Sequence, residues 1–161
     1  MKKTIIRILS LIPPLSWMAF IYSMSDKPAV ISTNESITVT EMLLNMVSGF
    51  IYVDPAKKAY IITAMEPHIR KIAHMTEFGI LFLLLLIPAS LFIKKMSVRP
   101  VTAFAISFLY GVSDEIHQLF VPGRAGMVRD VLIDMLGVVM ALILYLVIAI
   151  PVRKRIRRKI R

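Results

Sequence analysis

The sequence predicts an all-α membrane protein: a four transmembrane helix bundle with short interfacial helices in its first extracellular connection. Three observations lead there. Apolar residues make up 57% of the 161 and mean hydropathy is +0.74, well outside the range of soluble globular chains. Four segments approach the roughly 20 apolar residues that a helical span requires; they cover about residues 5–24, 72–93, 101–120 and 127–152. Charge is also unevenly divided between the two sets of connections. The length suits a single domain over residues 1–161, and no internal repeat is present.

The first span, Ile5 to Met24, follows Met1-Lys2-Lys3, a pattern shared with secretory signals. No small-x-small cleavage site follows "WMAFIYSMS", and Pro13-Pro14 interrupts the apolar run. A retained anchor is expected, with a kink or locally opened turn at the prolines. The insert that follows, residues 26–70, is too long to be a structureless loop in so small a domain. Within it "STNESITVTEMLLNMVSGF" begins with capping residues and carries Leu43, Leu44, Met46, Val47 and Phe50, predicting a helix on or in the interface. "DPAKKAYIITAM" predicts another, with Asp54 as cap and Pro55 at the first helical position. Glu66-Pro67 reads as a further start that feeds His68 to Lys71 into the second span. Packing is the expected role of these insert helices, and no chemistry is assigned to them. The third and fourth spans are joined by "VPGRAG", whose proline and glycines suit a tight reversal, so these two spans must be antiparallel neighbours.

Charge sets the expected orientation. Of 20 basic residues, 13 belong to the N-terminus, the "KKMSVR" connection and the 153–161 tail. That bias places both termini in the cytoplasm and the 26–70 insert and "VPGRAG" outside. All 10 acids and all 3 histidines fall in the outer connections or the outer ends of spans. Polar chemistry is therefore expected at the outer face of a multi-pass membrane protein. The net charge of +10 reads as a topology signal and attraction to anionic membrane lipid, not as nucleic-acid affinity. With no cysteine, disulfides and thiolate metal sites are excluded.

Helical spacing shows which polar groups share a face. Arg70, His74 and Glu77 are four and three apart on the second span. Tyr110, Asp114, His117 and Gln118 share a face of the third, with Glu115 about 100° round from Asp114. Asp130, Asp134 and Gly137 align on the fourth, the glycine permitting close helix approach. A carboxylate at mid-span costs about 2.5 to 3.5 kcal/mol on insertion scales. These faces are accordingly expected to turn inward and share one wet pocket containing both His74 and His117.

Two blocks, "RKIAHMTEFGIL" at 70–81 and "SDEIHQLFVPGRAGMVRDVLIDMLG" at 113–137, resemble the VanZ-like family of bacterial integral membrane proteins. That family is associated with the cell envelope and is named for a protein giving low-level resistance to the lipoglycopeptide teicoplanin. The resemblance implies functional weight for Arg70, Lys71, His74, Glu77, Asp114, Glu115, His117, Gln118, Arg124, Arg129, Asp130 and Asp134, and it fixes no reaction.

From the residues alone, His74, Glu77, Asp114, Glu115 and His117 supply acid and base groups suited to proton transfer. They also offer nitrogen and oxygen donors for a divalent metal, although no HExxH or other specific motif selects one. Arg70, Lys71, Arg124 and Arg129 match phosphate oxygens, with Gln118, Asp130 and Asp134 completing a binding set. Three functions stay open: an enzyme acting on a lipid-linked or phosphorylated envelope substrate, a non-catalytic binder of an envelope lipid or lipoglycopeptide, and a structural polar network.

Overall fold

The computed structural model describes residues 2–49 and 54–160, with side chains described up to Ala149 and at Pro151. Every regular element in these residues is helical: α1 (Lys2–Leu9), α2 (Ile12–Ser25), α3 (Ala29–Ser48), α4 (Pro55–Phe92), α5 (Val98–Gln118) and α6 (Val128–Ile160). The first predicted span is opened as the prolines require. Pro13 and Pro14 cannot donate to Leu9 and Ser10, so the helix stops at Leu9 and restarts with the prolines in the first turn of α2. The break is bridged by Ser10 Oγ donating to the Arg7 carbonyl at 2.6 Å and by Leu11 N–H donating to Ile8 at 3.1 Å.

The insert differs from expectation in three ways. First, α3 begins at Ala29 after Pro28, so Ser32 and Thr33 lie inside the helix and cap nothing. Second, Glu66-Pro67 starts no new helix: α4 runs unbroken through Pro67 and Pro88 for 38 residues, with Asp54 capping its start by accepting from Ala56 N–H at 3.1 Å. A proline forfeits one hydrogen bond of a helix, a local cost that tertiary packing can carry. Third, α3 lies along the first half of α4 as a helical hairpin, with Lys58 Nζ donating to Asn45 Oδ1 at 2.6 Å. Its protein-facing side is the small polar series Ser32, Ser36 and Thr40, while Leu43, Met46 and Val47 are exposed. Phe50 lies outside the described residues.

Among the described residues, three helical segments are long and apolar enough to cross a membrane: Lys2–Ser25, Pro55–Phe92 and Val128–Ala149. The remaining predicted span corresponds to α5, whose 21 residues give roughly 30 Å of helix at 1.5 Å per residue. It is packed among the others with Ala103, Ser107, Gly111, Asp114, Glu115 and Gln118 buried. At 38 residues, α4 is roughly 57 Å long, nearly twice a hydrocarbon core.

Packing below the polar end is apolar. Ile21, Phe78, Leu81, Phe82, Leu85, Ala103, Met135, Val138 and Ala141 form one apolar cluster. α4 and α6 run parallel and meet backbone to backbone at Gly79 and Gly137, where a Cβ on Gly137 would overlap the Met75 carbonyl. α5 runs antiparallel to both, as the tight turn predicted. Arg7 stacks over Phe92, 5.7 Å from its ring centre, so the N-terminus shares an end of the bundle with the α4–α5 connection. The acids and histidines gather at the opposite end.

Candidate functional site

The polar end is organised by the turn between α5 and α6. Val121 to Arg124 close a β-turn, Arg124 N–H donating to the Val121 carbonyl at 3.1 Å. Pro122 and Gly123 occupy its centre, and Gly123 supplies the positive φ of 75° that such a turn demands. The turn is then stitched to the start of the insert: Ala29 N–H donates to Pro122 at 3.1 Å, and Arg124 donates to the carbonyls of Lys27 at 2.9 Å and Met24 at 3.2 Å. Arg124 thereby caps the C-terminal carbonyls of α2, a favourable place for a cation.

Behind this turn lies a cavity of about 310 Å³ between α4, α5 and α6. Arg70, Lys71, His74, Glu115, Gln118, Arg124, Arg129, Asp130 and Asp134 all line it. Nine of the twelve site residues expected from sequence thus converge on one hollow. Their pairings differ. Lys71 reaches Asp130 at 3.2 Å, Arg129 stands 3.9 Å from the same carboxylate, and Arg70 pairs with Glu66 one turn back at 2.5 Å. Glu115 accepts from Met127 N–H at 2.8 Å, holding the start of α6. Burial, followed by the nearby Arg70 guanidinium, pushes the Arg124 guanidinium below its ordinary value. Two cations that repel one another across a hollow gain when an anion sits between them.

Asp134 stands apart. It is only 2% exposed, it lines the cavity, and it makes no hydrogen bond or ion pair among the described residues. His74 is similar: its nearest carboxylate is Glu77, with Nδ1 3.6 Å from Oε2, too long for a good hydrogen bond.

The expectation that both imidazoles share the hollow is corrected. His117 points to the α2 side, where Nε2 lies 3.1 Å from Asp26 Oδ1 and the ring stacks on Tyr22 at 4.5 Å. Asp114 faces the same way, accepting from Ser25 Oγ at 2.8 Å and Gln118 Nε2 at 3.0 Å. The reason is helix geometry: residues two apart, such as Glu115 and His117, project roughly 200° apart. The shared face of Tyr110, Asp114 and His117 is real, but it meets α2, with Tyr110 Oη donating to the Met18 carbonyl at 2.5 Å. Glu77 also misses the main cavity and lines a smaller chamber of about 160 Å³. Among the described residues, no group of three His, Cys, Asp or Glu side chains is placed to hold a metal ion.

That smaller chamber shows what sequence reasoning missed. It shares Arg70, His74 and Arg124 with the main cavity and takes Ser32, Glu35, Ser36 and Val39 from α3. The available signal was the spacing of Ser32, Glu35 and Ser36, three and then one apart on one helix face. Trp17 donates Nε1–H to the Glu77 carbonyl at 2.9 Å and so ties α2 to α4 beside the site.

No curated protein and no solved structure matches the chain. One family model, described as VanZ/LLP1, matches residues 10–149. With the match running across both the helical bundle and the polar cavity, the chain belongs to the VanZ/LLP1 family.

Proposed function

We propose that this membrane protein acts on a lipid-linked or phosphorylated amphiphile of the bacterial cell envelope, whose headgroup enters the cavity behind the α5–α6 turn. The observation that carries the proposal is the convergence of Arg70, Arg124, His74 and the unpaired Asp134 on one hollow. Arg70 and Arg124 engage the anionic headgroup. His74 and Asp134 are the groups free to move a proton, because neither is committed to a strong partner. Glu115 and Lys71 with Asp130 hold the walls. The distribution of basic residues supports a cavity opening at the outer face with both termini in the cytoplasm, and the length of α5 supports its crossing as a fourth span. A link to glycopeptide or lipoglycopeptide resistance fits a protein that handles envelope lipids.

The test uses the purified full chain in nanodiscs with a polyprenyl phosphate. Mass spectrometry of the lipid before and after incubation reads turnover, and a binding assay reads occupancy. Loss of both in Arg70→Ala, and loss of turnover with binding retained in His74→Ala and Asp134→Asn, is the expected pattern. Unchanged lipid that binds tightly, and binds equally to the His74 and Asp134 variants, would leave a binder in place of an enzyme. No binding at all would overturn the proposal.

A further inference from the structure

Beside the polar cavity lies a second hollow of different character, a groove of about 330 Å³ between α5 and α6. Phe108, Val112, Ile116 and Leu119 form one wall, and Val128, Val131 and Leu132 form the other. It is open on the side where Ile116, Leu119, Val128 and Leu132 are 54%, 59%, 81% and 60% exposed. With α5 and α6 both crossing the membrane, as proposed above, that side faces the acyl chains of the bilayer. Groove and cavity are not independent, because Glu115 and Met127 line both. A single layer separates them: the Glu115 carboxylate held by the Met127 N–H, and the half-exposed Met127 side chain. Methionine is the side chain best able to swing aside for a passing chain.

We infer that the groove between α5 and α6 seats the hydrocarbon chain of the ligand whose anionic headgroup occupies the adjoining cavity, so that the ligand is a membrane lipid entering sideways from the bilayer. The inference rests on the headgroup reading above and narrows it to ligands with a chain. Three features select this occupant. Cations line one hollow and aliphatic side chains line the next. The two share a wall. The apolar hollow opens where lipid tails already are.

The groove cannot act by hydrophobic transfer, since a tail is no better hidden there than among lipid tails. Its role is steric: a head seated behind Glu115 needs a path by which its tail can remain in oil. Filling that path must therefore exclude ligands with tails and spare those without.

Full-length protein in nanodiscs is assayed with two probes, dodecyl phosphate and glycerol phosphate, in wild type, Ile116→Trp and Leu132→Trp. Both replaced side chains are exposed and touch the groove wall. The expected result is binding of dodecyl phosphate weakened by about tenfold, the scale of an overpacking clash, with glycerol phosphate binding unchanged, which also shows that the variants are folded. A dodecyl phosphate carrying a mid-chain diazirine should crosslink to the peptides containing Phe108 to Leu119 and Val128 to Leu132. Equal binding of both probes in the tryptophan variants, or crosslinks confined to other helices, overturns the groove while the headgroup site stands. If the variants cannot be purified, the crosslinking map on wild type decides alone. Binding of neither probe to wild type removes the groove together with the proposed function.

Discussion

Two acids of this bundle are equally hidden and differently employed. Asp114, on the seam between α2 and α5, is 3% exposed and accepts hydrogen bonds from Ser25 and Gln118. Asp134, on the seam between α4 and α6, is 2% exposed and accepts none among the described residues. The first is a fastener: two donors from two helices are satisfied by one carboxylate, as a low-dielectric interior demands. The second faces a hollow, and its burial is tolerated without repayment from the protein. Burial alone therefore does not separate an acid that fastens helices from one that faces a hollow. Hydrogen-bond accounting does.

Mutations can break or sharpen this contrast, and they rank by their expected effect on the fold. Gly137→Leu should be the most severe, costing about 3 kcal/mol or more, because any side chain there collides with the Met75 main chain of α4; recovery of monodisperse protein after detergent extraction reads it. Asp114→Ala should cost about 2 kcal/mol, since it strands the Ser25 hydroxyl and the Gln118 amide, and its melting temperature should fall well below that of Asp114→Asn. Trp17→Phe should lose about 1 kcal/mol with its bond to the Glu77 carbonyl. Lys71→Met should change stability by less than about 1 kcal/mol, because its pairing with Asp130 is one-third exposed. Asp134→Asn should leave the melting temperature unchanged or raised, while lowering turnover by about a hundredfold. A destabilised Asp134→Asn protein, or a stable Asp114→Ala one, would reverse the assignment of the two acids.

Much of the fold is legible in the sequence because apolar length and turn chemistry are local. The expected segment at 72–93 ends within a residue of Phe92, and "VPGRAG" turns as its proline and glycines require. Pro67 misleads because the same residue that opens a helix after a cap can also ride inside one, and only the packing of α3 against α4 decides between them. The site is partly legible for a similar reason. Spacing fixes which residues share a helix face, so the grouping of Tyr110, Asp114 and His117 is right. Spacing does not say which neighbour that face meets, so His117 is expected beside His74 and stands instead against Asp26. The contribution of Ser32, Glu35 and Ser36 was hidden for another reason: on an amphipathic helix the apolar side is ordinarily the packed one, and α3 packs by its small polar side.

The contact of Gly79 with Gly137 has a consequence beyond stability. One turn beneath Asp134 the two main chains touch, with Phe78, Leu81 and Val138 sealed around them. The hollow is a cup with a floor. In the orientation proposed above, ions and protons admitted at its mouth would meet a dead end, so the chamber would not short-circuit a gradient across the membrane.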